Sequence, residues 1–298
     1  MTTELPPGTV AWRALLAETE QRLARAGIEM AASDARRIVE QASGHDGAEL
    51  FLGLDEAATE RGVAALDRMV QRRLEGVPLQ YVLGAWSFRS LDLFVDPRVL
   101  IPRPETESVV EHALRVIDEL AARRRPDPVR VVDLGTGSGA IALSIALERP
   151  GTRVWATDRS ADALAVARAN LAGIGRAGAQ VQLHEGSWFA ALPATLRGTL
   201  DVIISNPPYV AATDDLPAEV ADHEPPEALI PGPTGYEALH HLVEEAPAWL
   251  REDGTLILEM APTQTDTIEA RARAAGFPRT STGQDLAGRN RYVVAHRT

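Results

Sequence analysis

Apolar residues recur at helical spacing through the first eighty positions. Residues 11–26 place Leu15, Leu16, Thr19 and Leu23 on one stripe, and residues 60–75 do the same with Val63, Leu66, Met69, Val70 and Leu74. Ser33 is a fitting N-cap for a further helix over 34–42. The texture then changes. Residues 81–100 alternate and are rich in aromatics, with Gly84 and a polar turn at Arg89–Ser90, the pattern of a β-hairpin. Ile101, Pro102, Arg103 and Pro104 form a stiff extended stretch, because a residue preceding proline avoids the helical region. A helix over 105–122 follows, ended by Arg123, Arg124, Arg125 and Pro126.

From Val129 short apolar runs alternate with helical periods. The runs at 129–134, 152–157, 181–183, 201–205 and 255–259 predict strands, and 138–148, 160–171, 236–250 and 265–275 predict helices. Two last short strands, near 279–282 and 292–295, complete the sheet as an antiparallel pair. Such alternation predicts an α/β fold, a mainly parallel sheet covered on both faces. The chain thus reads as a helical part at 1–80, a hairpin linker at 81–104 and an α/β domain at 105–298.

Composition removes several chemistries. None of the 298 residues is cysteine, and all 30 basic residues are arginine. Thiolate metal sites, cysteine nucleophiles, a P-loop lysine and a lysine Schiff base are excluded. A net charge of −12 disfavours gripping a phosphate backbone, so no direct nucleic-acid binding is expected. The first ten residues carry no basic, apolar leader, and the longest apolar run, 140–147, is broken by Ser144. A cytoplasmic protein without membrane association is expected.

Two segments carry candidate chemistry. Asp133-Leu134-Gly135-Thr136-Gly137-Ser138-Gly139 lies between a predicted strand and helix, where glycines let a ligand approach backbone amides. Asp158 follows Gly139 by 19 positions at the end of the next strand, where a carboxylate can accept both ribose hydroxyls of an adenosine cofactor. A glycine loop with a distal acid serves dinucleotides and methyl donors alike. Here the spacing is G-x-G-x-G rather than G-x-G-x-x-G. Asp133 would sit badly beside a pyrophosphate but can face the cationic methionine end of S-adenosylmethionine, so that cofactor leads over NAD. The second segment runs from the apolar strand 201–205 into Asn206-Pro207-Pro208-Tyr209. The Asn206 side-chain oxygen and the Pro207 carbonyl can each accept one N–H of a planar NH2 group. Pro208 stiffens the turn, and Tyr209 can cover the plane of the incoming group. Two directed acceptors orient the nitrogen lone pair for methyl transfer. An amide nitrogen, once methylated, can lose its proton to water.

With these residues in view, the chain resembles the release-factor glutamine N5-methyltransferases, the PrmC/HemK family, over nearly its whole length. Pro78 to Gly84, Ile101-Pro102-Arg103-Pro104-Glu105-Thr106-Glu107, Asp133 to Ala140 and Asn206 to Tyr209 match in order. The stretch Glu224-Pro225 with Ala228-Leu229, and the stretch Asp285 to Arg291, resemble later family segments. The resemblance implies a class I (Rossmann-like) methyltransferase with a seven-stranded sheet, an N-terminal helical substrate-recognition domain and a hairpin linker. Its substrate would be the glutamine of the Gly-Gly-Gln motif in class 1 peptide chain release factors, its product S-adenosylhomocysteine. By position, Asp133, Gly135, Thr136, Gly137, Ser138, Gly139, Asp158 and Asn206 would contact S-adenosylmethionine. Trp188 would lie against the adenine, with a core aromatic as its plainer role. Asn206, Pro207, Pro208 and Tyr209 would hold the substrate glutamine. Two departures stand out: no glycine follows Phe88, and Met260-Ala261-Pro262 follows Glu259.

The seven histidines show no i, i+4 pair, so no metal is expected. A ribosomal-protein glutamine methyltransferase shares the chemistry. An adenine-N6 nucleic-acid methyltransferase shares Asn206 to Tyr209 but needs a basic groove. A non-enzymatic cofactor-binding scaffold has no use for that turn.

Overall fold

A computed structural model describes residue 6, residues 8–124 and residues 127–297. The expected helix stop at Arg125 and Pro126 lies outside the described residues, as do most of the first seven positions. The chain divides into two compact units. The first runs through Gly84 and includes Pro217–His223; the second holds Ala85–Leu216 and Glu224–Thr298.

Five helices build most of the first unit: α1 (Trp12–Arg25), α2 (Ala31–Ser43), α3 (Ala48–Gly53), α4 (Glu60–Leu74) and α5 (Leu79–Leu83). The stripes predicted for α1 and α4 face its core, where Leu23, Ile38, Val39 and Val70 are wholly buried. Thr59 caps α4, its hydroxyl accepting the Gly62 N–H at 3.0 Å. Two details differ from the sequence reading. Ser33 lies inside the first turn of α2, which begins after Met30. Residues 81–83, expected to open the hairpin, instead belong to α5, which is closed by Gly84 in the left-handed region. The short helix α9 (Ala218–Ala221) belongs to this unit as well. Arg73 organises the association: it donates to buried Asp34 at 2.8 Å, to the Val77 carbonyl at 3.1 Å and to Glu219 at 3.1 Å.

The second unit opens with the hairpin β1 (Ala85–Phe88) and β2 (Leu91–Phe94), then α6 (Pro104–Arg124). Where a glycine is missing after Phe88, Arg89 itself adopts φ 51°. Its N–H donates to Glu107 and its guanidinium to Glu111 and Glu148, so ion pairs hold the conformation a glycine would take freely. The sheet follows: β3 (Arg130–Leu134), α7 (Ala140–Glu148), β4 (Arg153–Asp158), α8 (Ala161–Gly173), β5 (Val181–Glu185), β6 (Leu200–Ser205), α10 (Glu237–Trp249), β7 (Leu250–Glu259), α11 (Thr265–Ala274), β8 (Arg279–Gln284) and β9 (Asn290–His296). Its order is β5-β4-β3-β6-β7-β9-β8, parallel except where β9 pairs β7 and β8. This is the class I methyltransferase arrangement, an α/β fold with a seven-stranded sheet. Every residue of β6 is buried, as a central parallel strand requires. The connections from β3 and β6 leave toward opposite sides of the sheet. The crevice at their carboxyl ends is therefore the switch point where open α/β sheets take ligands.

Candidate active site

The loop after β3 turns by placing Gly135, Gly137 and Gly139 at φ 74°, 55° and 87°. Only glycine enters that region without strain. Gly135 has a second reason: a Cβ there would meet the Trp188 ring at 3.2 Å. Asp133 lies beneath the loop with no exposed surface. Its Oδ2 accepts the Thr136 hydroxyl at 2.6 Å and the Ala142 N–H at 3.2 Å, joining the loop to the first turn of α7. Burial, opposed by those two hydrogen bonds, pushes its pKa up to about 7. Its Oδ1 is buried and has no partner.

At the end of β4, Asp158 accepts the Gly137 N–H through Oδ2 and the Ser160 N–H through Oδ1, each at 2.9 Å. Burial raises its pKa against those bonds. Trp188 stands in the left-handed region at φ 47°, an uncommon place for a bulky side chain and one found at ligand sites. Asn170, on α8, accepts from Phe94 N–H and donates to the carbonyls of Phe94 and Ser138, tying the hairpin to the glycine loop.

At the end of β6, the Ser205 hydroxyl donates to the Leu134 carbonyl and so joins the two strand ends. Asn206 follows, its Nδ2 donating to Thr106 Oγ1 at 3.2 Å. Tyr209 packs against the core, and its hydroxyl donates to Glu259 Oε1 at 3.4 Å. Its carbonyl accepts from Gln264 at 3.1 Å. Burial pushes the Tyr209 hydroxyl pKa well up, and burial raises that of fully buried Glu259 to about 7.

One cavity of about 250 Å³ gathers Gly135, Gly137, Asp158, Trp188, Asn206 and Pro208. Asp133, Thr136, Ser138 and Gly139 lie behind its wall, and Pro207 and Tyr209 are likewise absent from the lining. Tyr209, expected to cover the incoming group, has its hydroxyl turned to Glu259 in the interior. Thr106, Asn170, Gly235, Glu259 and Gln264 were not singled out from the sequence. Of these, only Thr106 carried a signal, its place in the 101–107 motif.

The PrmC N-terminal domain family matches residues 14–84 and the methyltransferase small domain family residues 116–222. A release factor glutamine methyltransferase of Xylella fastidiosa is 40% identical, over 94% of this chain and 96% of that protein. The Bifidobacterium longum protein of the same name is 39% identical, over 94% of this chain and 98% of its own length. The chain belongs to the release factor glutamine methyltransferase family. The Mycolicibacterium smegmatis family member is 37% identical, over 92% of this chain and 94% of its own. Among solved structures, the N-terminal domain of human METTL16 in complex with SAH has the same fold. Its TM-score is 0.51 at 14% identity, covering 93% of this chain and 94% of that one.

Proposed function

We propose that this family member transfers a methyl group from S-adenosylmethionine to the side-chain amide nitrogen of the glutamine in the Gly-Gly-Gln motif of class 1 peptide chain release factors. One observation carries the reading: Gly135 and Gly137 of the glycine loop, Asp158, Trp188, Asn206 and Pro208 line a single cavity. The residues fit the methyl donor. Asp133 Oδ1 is a buried acceptor without a partner near the loop, suited to a cationic ligand. Asp158 spends one lone pair of each oxygen on a backbone N–H and keeps the others for ribose hydroxyls. Trp188 lines the same cavity.

When bound, S-adenosylmethionine supplies a methyl group on a positively charged sulfur. Asn206 Oδ1 and the Pro207 carbonyl accept the two N–H groups of the substrate amide. Because that nitrogen's lone pair is delocalised, orientation and polarisation by these two acceptors are the chief catalytic contribution. Pro208 keeps the turn from relaxing. Choice of the protein substrate is assigned to the first unit, which exposes Phe51 by 58% and Leu52 by 84% of their surfaces. Cytoplasmic location follows from the substrate class, and no described helix is long and apolar enough to cross a membrane.

Labelled S-adenosylmethionine, offered with release factor, ribosomal protein and DNA in parallel, tests the reading. Label is expected in the release-factor glutamine alone; transfer to DNA or to the ribosomal protein instead overturns it. In the same assay Asn206→Ala is expected to cost about 10²–10³ in turnover, and Leu52→Ser to raise KM for the release factor only.

A further inference from the structure

Two stretches of the cavity lining, within 98–100 and 225–231, take no part in the proposed cofactor contacts. The first contributes Val99 and Leu100, the second Pro225, Ala228 and Pro231. Glu224 fastens them to each other. Its side chain, 1% exposed, accepts the Ile101 N–H at 3.2 Å and pairs with the Arg103 guanidinium at 2.6 Å.

The far end of the second stretch is held as well. Val210 N–H donates to the Leu229 carbonyl at 3.0 Å, and Gly232 forms a parallel bridge with Ala211. Between Glu224 and Gly232 the backbone is restricted by Pro225, Pro226 and Pro231. The Ala228 and Ile230 N–H groups donate back to the carbonyls of Pro225 and Pro226, each at 2.9 Å. The stretch is a stiff strut from the 101–103 motif to the residues just beyond the Asn206–Tyr209 turn.

We propose that this strut, latched by Glu224, is the wall that makes the site select glycine at the position just before the reacting glutamine. The proposal rests on the reading of Asn206 as an acceptor for the substrate amide.

Glutamine carries its amide on two methylenes, so its main chain lies within about 5 Å of the reacting nitrogen. With that amide on Asn206, the preceding residue of the substrate runs against the lining beside the turn, and the strut supplies that lining. Glycine offers no side chain to grip. It is chosen by leaving no room for a Cβ, or by a backbone conformation that a Cβ forbids. A wall excludes one methyl group only while it cannot yield. Here the charge-assisted bond to Arg103 and the bond to a main-chain N–H, both made by one buried carboxylate, keep it in place. Glu224 is therefore a positioning residue that acts through the strut.

The test compares kcat/KM of full-length wild type, Glu224→Gln, Arg103→Gln and Asn206→Ala on two substrates. One is intact release factor, the other the same protein carrying Gly-Ala-Gln in place of Gly-Gly-Gln. Calorimetry with S-adenosylmethionine and thermal melting accompany the kinetics. Wild type should prefer the Gly-Gly-Gln form at least about tenfold. Glu224→Gln keeps an acceptor for Ile101 but loses the ion pair, and should bring the preference below about threefold. Cofactor affinity should stay within about twofold of wild type. Arg103→Gln, altered at the more exposed partner, should do the same, and it carries the comparison where Glu224→Gln fails to fold. A role in stability alone would slow both substrates in proportion. An undiminished preference in both variants therefore overturns the latch, and a wild type indifferent to the alanine overturns the glycine-selecting wall. Unimpaired Asn206→Ala overturns the underlying reading and the proposal with it.

Discussion

In the proposed site, Asp158 would serve backbone and ligand together. Its two oxygens already hold the Gly137 and Ser160 amides, which fixes the carboxylate where ribose hydroxyls would arrive. Two further charge-assisted bonds are worth about 1.5–3 kcal/mol each. Asp158→Ala should therefore weaken S-adenosylmethionine binding at least about tenfold. Calorimetry on a folded variant measures this, and unchanged affinity removes Asp158 from the site. Asp133 works differently. It fastens the loop to α7 through Thr136 and Ala142.

At the scale of elements, the turn after β6 is clasped by the segment that follows it. Val210 N–H donates to the Leu229 carbonyl, and Gln264 bridges the carbonyls of Tyr209 and Gly235. Gly235 closes the clasp at φ 78°, where a Cβ would lie 2.6 Å from the Tyr209 carbonyl oxygen and 2.9 Å from the Ala211 nitrogen. Both atoms are backbone and have nowhere to move. Gly235→Ala should cost about 1–3 kcal/mol from the backbone conformation alone and displace the Asn206–Tyr209 turn. The expected result is a lower melting temperature with turnover reduced more than cofactor affinity. Wild-type melting and turnover together would show that the clasp is slack.

Over the whole molecule, pH acts through two carboxyls that lie fully buried in the second unit. Burial raises Asp133 and Glu259 to about 7, above their values in an unfolded chain. A raised folded pKa means the folded state holds the proton more tightly. The stabilisation is full below the unfolded values and is lost as pH rises through about 7. The ligand-free protein should melt at a lower temperature at pH 8 than at pH 6 by several degrees. Asp133→Asn and Glu259→Gln should each reduce the difference, and scanning calorimetry at both pH values decides it. Equal pH dependence in wild type and both variants would contradict this account.

Periodicity was enough for the α/β class, the terminal antiparallel pair and the α1 and α4 stripes, because each depends on residues within one or two turns of each other. The glycine loop, Asp158 and the Asn206–Tyr209 turn were legible for the same reason: they are local stretches at strand ends. The missing glycine at the hairpin gave no hint that Arg89 would take the left-handed conformation, since the carboxylates holding it are 18 to 59 positions away. Nor could pattern reveal that Pro217–His223 joins the helical unit, where Glu219 pairs with Arg73 across 146 positions. The inward draw of Tyr209 toward Glu259, and of Asn206 toward Thr106, belongs to the same class. Local spacing specifies which atoms a turn presents. Which of them face the cavity and which face the core was decided by partners that only folding brings within hydrogen-bond reach.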